Sequence, residues 1–151
     1  IHPAKMYFIP EWTETIHHIS YNDVRDKPYF PEVWDTIVMP FINKTPDIPL
    51  VAHNGNMFDM PVIKDCCEYF GMEVPKLKYF DSLIVAKKTW PDFESHRLTA
   101  LGEYFKIEYL AHDALEDSRT CGQIIKFVAD KWGVNCIEEL IKSCKTELRT
   151  F

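Results

Sequence analysis

Apolar positions recur at helical spacing from Glu32 to Ile42, where Val33, Trp34, Ile37, Val38, Phe41 and Ile42 share a broad face and Pro31 suits the first turn. Pro40 has no N–H and clashes with the turn before it, so it is expected to end or kink that helix. The pattern then shortens. Leu50-Val51-Ala52 is an apolar run of the buried-strand kind, and from Met57 to Phe70 the spacing turns helical until Gly71, a natural C-terminal cap. Leu77–Phe80 predicts another strand, followed by a helix around Ser82–Lys88 and a short one near Thr99–Phe105. The longest helix is expected from Asp113 to Lys131, with Ala114, Leu115, Cys121, Ile124, Ile125, Val128 and Trp132 along one side and Gly133 as its stop. A last helix is predicted near Ile137–Lys145. Near the start, Met6–Ile9 predicts a short strand, and irregular chain is expected through residue 24.

Strands alternating with helices imply an α/β layer structure in which part of the sheet is parallel. About three strands are too few for a sheet flanked by this many helices, which points to an element missing from the sheet. A length of 151 residues fits one domain with a sizeable core, and 46% hydrophobic against 26% charged residues argues against disorder. No apolar run approaches the roughly 20 residues of a membrane span. The five cysteines (Cys66, Cys67, Cys121, Cys136, Cys144) form no CxxC and no paired spacing. They predict free thiols buried in helices and a cytoplasmic setting rather than a disulfide or zinc scaffold. A formal charge of −6 argues against a protein that coats nucleic acid electrostatically. It leaves room for an enzyme that grips only the end of a strand through bound cations.

Two segments could carry chemistry. In residues 51–59, VAHNGNMFD, a strand runs into a loop with His53 and Asn54, and a helix opens at Phe58 and Asp59. A carboxylate there can hold a divalent cation, or it can stabilise the helix start through its free N–H groups. In residues 111–120, AHDALEDSRT, Asp117 continues along Cys121, Ile124 and Val128 and so faces inward, where a charge needs a metal, an arginine or a cap as partner. Asp113 and Glu116 fall on other faces and suit solvated capping. His112 can be a catalyst or a cap.

Taken together, strand–HNxxxFD–helix followed by HxAxxD at a helix start resembles the second and third motifs of DEDDh-type 3′–5′ exonucleases, in the DnaQ/RNase T superfamily. KYFDSLIVAKK, LTALGEYFKIE and, upstream, IHHISYNDVRDKPYFPEVW are similar to further segments of that family, so the resemblance runs from about Pro3 to Lys131. It implies a ribonuclease H-like mixed sheet flanked by helices and hydrolysis of phosphodiesters from the 3′ end of single-stranded DNA or RNA. It also implies two divalent ions, Mg2+ or Mn2+, held by carboxylates. Carried over position by position, Asp59 and Asp117 match metal-binding aspartates and His112 matches the general base. His53 and Asn54 shape the second-motif loop or touch substrate. Phe58 is core or faces the terminal base. Asp81 is a helix cap. Dimerisation stays open.

One departure stands out. The family's first motif, Asp-x-Glu on an apolar strand, has no match upstream of His53. The N-terminal hairpin carrying it is therefore expected to be missing from an N-terminally truncated chain. The alternative is a catalytically inactive exonuclease-like module that binds nucleic-acid ends or a protein partner.

Overall fold

Proline placement shapes the first third of the chain. The structure is a computed structural model that describes residues 1–3, 9–108 and 113–151. These divide into two units: Ile1–Ile48 with Lys64–Val74, and Pro49–Ile63 with Pro75–Phe151. In the first unit, Pro10 sets up α1 (Glu11–His17), with Glu11 and Glu14 in its first turn, and His18 ends it at φ 56°. In α2 (Tyr21–Val24), the Asp23 carboxylate accepts both the Ser20 N–H (2.8 Å) and the Ser20 hydroxyl (2.6 Å). Ser20 thereby pulls the Asp23 pKa down. Irregular chain was expected here; the two short helices depend on capping chemistry rather than on an apolar stripe, and neither buries a residue.

The predicted helix over residues 32–42 is present but in three pieces: α3 (Phe30–Val33), a π-helical turn (Trp34–Val38) and α4 (Met39–Ile42). Pro40 kinks the helix rather than ending it. The widened turn lets the Met39 N–H bond the Trp34 carbonyl, which relaxes the crowding a proline ring imposes on the preceding turn. Trp34 is buried and stacks on Phe30 with ring centroids 5.1 Å apart. Phe41 stays exposed, so the apolar stripe is only partly covered. Of the expected strand over residues 6–9, residues 6–8 lie outside the described residues, and Ile9 is not in a strand.

In the second unit, β1 (Leu50–Ala52) pairs in parallel with β2 (Lys78–Asp81), and β2 pairs antiparallel with β3 (Arg149–Thr150). The order β1-β2-β3 gives the expected mixed sheet flanked by helices. The third strand was not predicted: a two-residue strand leaves no alternating pattern to read. Val51 is exposed, so among the described residues β1 is a half-covered strand rather than a buried one.

The helices follow the sequence pattern closely. They are α5 (Asp59–Phe70), α6 (Ser82–Thr89), α7 (Leu98–Tyr104), α8 (Ala114–Trp132) and α9 (Ile137–Ser143). Gly71 and Gly133 stop α5 and α8 at φ +65° and +66°, the left-handed region glycine enters without cost.

Two clusters form the core of this unit. Phe80, Val85, Val128, Leu140, Ile141 and Cys144 bury one side of α6 and α8 against α9 and β2; Ala86, Leu101 and Ile124 bury another against α7. Leu115 and Trp132, expected on the inward side of α8, are 59% and 42% exposed. They lie at the two ends of the helix, beyond the core its middle turns cover. Among the cysteines, Cys67, Cys121 and Cys144 are buried, whereas Cys136 is exposed just ahead of α9. Among the described residues no helix is long and apolar enough to cross a membrane.

Candidate active site

β1 and β2 finish level, with Ala52 opposite Asp81. Two connections therefore leave the sheet side by side at its carboxyl end, where α/β folds gather their sites. The turn after β1 is sharp. Asn54 adopts φ 66°, which asparagine tolerates better than most residues, and Gly55 has no room for a side chain, because a Cβ there would stand 2.7 Å from that of Ala52. The Asn54 carbonyl accepts the N–H groups of Met57 and Phe58 (3.1 Å each), and the Gly55 carbonyl accepts that of Met60 (3.0 Å), which starts α5.

Asp81 holds the turn from the neighbouring strand. Its carboxylate, in a residue only 6% exposed, accepts the N–H of Asn54 (3.0 Å), of Asn56 (3.1 Å) and of Leu83 (2.9 Å). The last contact caps α6, as the sequence predicted. The first two tie β2 to the turn after β1, and nothing in the spacing of the residues foretold them.

His53 is engaged at both ring nitrogens. Nε2 lies 2.9 Å from the His96 carbonyl and so donates; Nδ1, 2.9 Å from the Ser82 hydroxyl, is left to accept. Burial pushes this imidazole's pKa down, against the upward pull of the His96 carbonyl and of Asp81. The Ser82 hydroxyl also contacts Cys121 Sγ (3.2 Å) and the Ala52 carbonyl (3.3 Å). A polar chain thus links the end of β1 to α8, one turn beyond Asp117. Burial pushes the Cys121 thiol up, so it stays a neutral packing group.

These elements surround a cavity of about 570 Å³ lined by Asp59, Asp117, His53, Phe58, Arg97, Cys121 and their neighbours. Asp59 opens α5 and Asp117 lies in the first turn of α8. Burial pushes the Asp59 carboxyl up; its own backbone N–H opposes this, the charge of Asp81 adds to it and His53 opposes it again. Asp113 is the cap of α8, accepting from Leu115 and Glu116 (3.0 Å each), while Glu116 pairs with Arg119, which leaves Asp117 uncommitted to the cap.

The structure thus brings Asp59, Asp117, His53 and Phe58 to one cavity. Asn54 serves the turn through its backbone, and His112 lies outside the described residues. Phe58 is 66% exposed, so it is not core: the turn that begins α5 aims its ring away from the packed side. Arg97 was not anticipated, because a single arginine between two short elements carries no periodic signal.

Two carboxylates are the kind of donor set that Mg2+ accepts, since this ion binds through one or two carboxylates and completes its shell with water and phosphate. Among the described residues no three His, Cys, Asp or Glu side chains cluster to hold a metal.

Over residues 1–125 the chain matches the RNase_T family model, described as Exonuclease. It belongs to this exonuclease family. The mixed sheet with its flanking helices is consistent with the ribonuclease H-like fold of such exonucleases. Among curated proteins, the chain is similar to the 3′-5′ exonuclease DinG of Staphylococcus aureus strains MRSA252 and USA300, each 29% identical over 125 residues. The match covers 82% of this chain and 13% of each relative, so the chain corresponds to a small part of those proteins.

Proposed function

We propose that this exonuclease-family domain, when joined to a strand that carries the Asp-x-Glu motif, hydrolyses phosphodiesters from the 3′ end of single-stranded DNA or RNA. Asp59 and Asp117 would hold divalent cations, Mg2+ or Mn2+, and His112 would take the proton of the attacking water. The observation that carries this reading is that Asp59 and Asp117, from helices far apart in sequence, line one cavity at the carboxyl end of the sheet. Asp59 does so at a cost, because its ionised form is disfavoured by burial and by Asp81. A carboxylate kept in such a place has its charge compensated by a cation rather than by the fold.

When bound, the cations supply the positive charge that offsets negative charge developing on the phosphodiester. The remaining roles belong to the chain. Asp59 and Asp117 fix where the cations sit, each at the rigid start of a helix. Phe58 presents a largely exposed ring at the cavity wall, suited to stacking on a terminal base whatever its identity. His53, with both nitrogens occupied, keeps the loop in shape rather than exchanging protons. Imidazole is the side chain suited to proton transfer near neutral pH, which motivates the role given to His112.

The test is digestion of end-labelled single-stranded DNA and RNA with Mg2+, Mn2+ or EDTA. Shortening from the 3′ end that needs metal and is lost in Asp117→Ala is the expected result. Equal shortening in EDTA, or shortening that survives Asp117→Ala, would remove the metal-site assignment. A folded chain that shortens neither substrate even when a strand carrying the Asp-x-Glu motif is supplied would overturn the catalytic reading.

A further inference from the structure

We infer that Arg97 binds a backbone phosphate of the nucleic-acid strand in this cavity; the inference rests on the exonuclease reading above and names a substrate contact within it. Arg97 lines the same cavity as Asp59 and Asp117. An arginine beside two carboxylates ordinarily pairs with one of them. Among the described residues the ion pairs are Arg25–Asp26, Lys64–Glu68 and Arg119–Glu116, and Arg97 takes part in none. Arg97 is therefore a cationic residue lining the cavity with no ion pair among the described residues, in a chain whose net charge is −6. An anion from outside is its complement, and a planar fork of N–H donors matches the oxygens of a phosphodiester.

Its backbone is also held in place. The preceding residue, His96, has its carbonyl fixed by His53 Nε2 (2.9 Å), and its own Nε2 donates to the Trp90 carbonyl (2.8 Å). On the other side, the Arg97 carbonyl accepts the Leu101 N–H (3.0 Å) in the first turn of α7. These bonds hold the backbone that presents Arg97 to the cavity, and the residue is exposed. This also gives His53 a purpose: by fixing the His96 carbonyl, it sets the position of the next residue. A division of labour follows, in which the two aspartates attract cations and Arg97 contacts phosphate directly.

The experiment is binding of a short 5′-labelled oligothymidylate to the chain by fluorescence anisotropy, across a salt series, in EDTA and again with Mn2+. Arg97→Gln is expected to weaken binding about tenfold. It should also make the salt dependence shallower by about 0.7, the share of one phosphate contact on a single strand. Arg97→Lys should recover part of the affinity and the full salt slope. In competition, thymidine 5′-monophosphate should displace the oligonucleotide from the unaltered chain better than thymidine does, and Arg97→Gln should erase that advantage. If the unaltered chain binds but Arg97→Gln matches it in affinity and slope, the phosphate role is overturned and the exonuclease reading stands. Equal competition by nucleoside and monophosphate in the unaltered chain overturns it without any variant. An unaltered chain that binds no oligonucleotide in either condition overturns both.

Discussion

Two aspartates stand at the same end of the sheet and have opposite fates. Asp81, the last residue of β2, accepts three backbone N–H groups and is almost completely buried. Asp59, at the start of α5 after β1, lines the cavity, and burial together with Asp81's charge makes its ionised form unfavourable. The first carboxylate is satisfied by backbone donors; the second faces the cavity, and we assign it to a cation. Charge at a strand end is thus not in itself a sign of function; the number of donors already committed to it separates a structural carboxylate from a site carboxylate.

The largest expected effect tests the cavity side of this contrast. Asp117→Ala should lower the rate of 3′-end shortening about 10³-fold or more while leaving the urea midpoint nearly unchanged. Loss of activity that merely tracked unfolding would show Asp117 to be structural, like Asp81. On the other side, Asp81→Ala should reduce the unfolding free energy by about 3–5 kcal/mol, since three buried N–H groups lose their acceptor. A cost under about 1 kcal/mol, within reach of ordinary surface substitutions, would mean that water replaces the carboxylate and the distinction fails.

Gly55→Ala should cost about 1–3 kcal/mol in the same measurement, because its Cβ would meet that of Ala52 at 2.7 Å. A neutral outcome would show the turn to be more pliable than its two carboxylate contacts suggest.

Asp59 gives a smaller effect of opposite sign. Its carboxyl is raised in the fold, so its contribution to stability is present at low pH and is lost as pH rises through the folded value; at neutral pH the ionised group is a burden. Asp59→Asn should therefore raise the melting midpoint by about 2–4 °C in EDTA and remove any further rise caused by Mn2+. A midpoint that fell instead would place Asp59 among the structural carboxylates.

The smallest effect belongs to His53, whose imidazole is pushed below its ordinary value of 6.5 by burial. The unfolded chain then binds the proton more readily, so this stability is present above that value and is lost as pH falls. Between pH 7 and about pH 5 the decline in melting midpoint should be shallower in His53→Gln than in the unaltered chain. Identical slopes would assign the decline to other groups.

The sequence by itself determined helices α5 to α9, the strand–loop–helix segment that carries Asp59 and the helix start that carries Asp117. These follow from local rules that act within a few residues: apolar spacing from Met57 to Phe70 and along α8, glycine stops at Gly71 and Gly133, and an aspartate cap before α6. Apolar spacing was silent for some elements, and it misled where the outcome depended on partners distant in sequence. The capped helices α1 and α2 have no apolar stripe, β3 is too short to show alternation, and Val51 and Phe58 look like core until the packing leaves them uncovered. Tertiary structure alone decided that Asp81 would hold the turn after β1, that His53 would be consumed by Ser82 and His96, and that Arg97 would line the cavity shared by the two aspartates. A hydrogen bond between residues dozens of positions apart leaves no period in the chain, because each partner's sequence neighbourhood answers only to its own helix or strand.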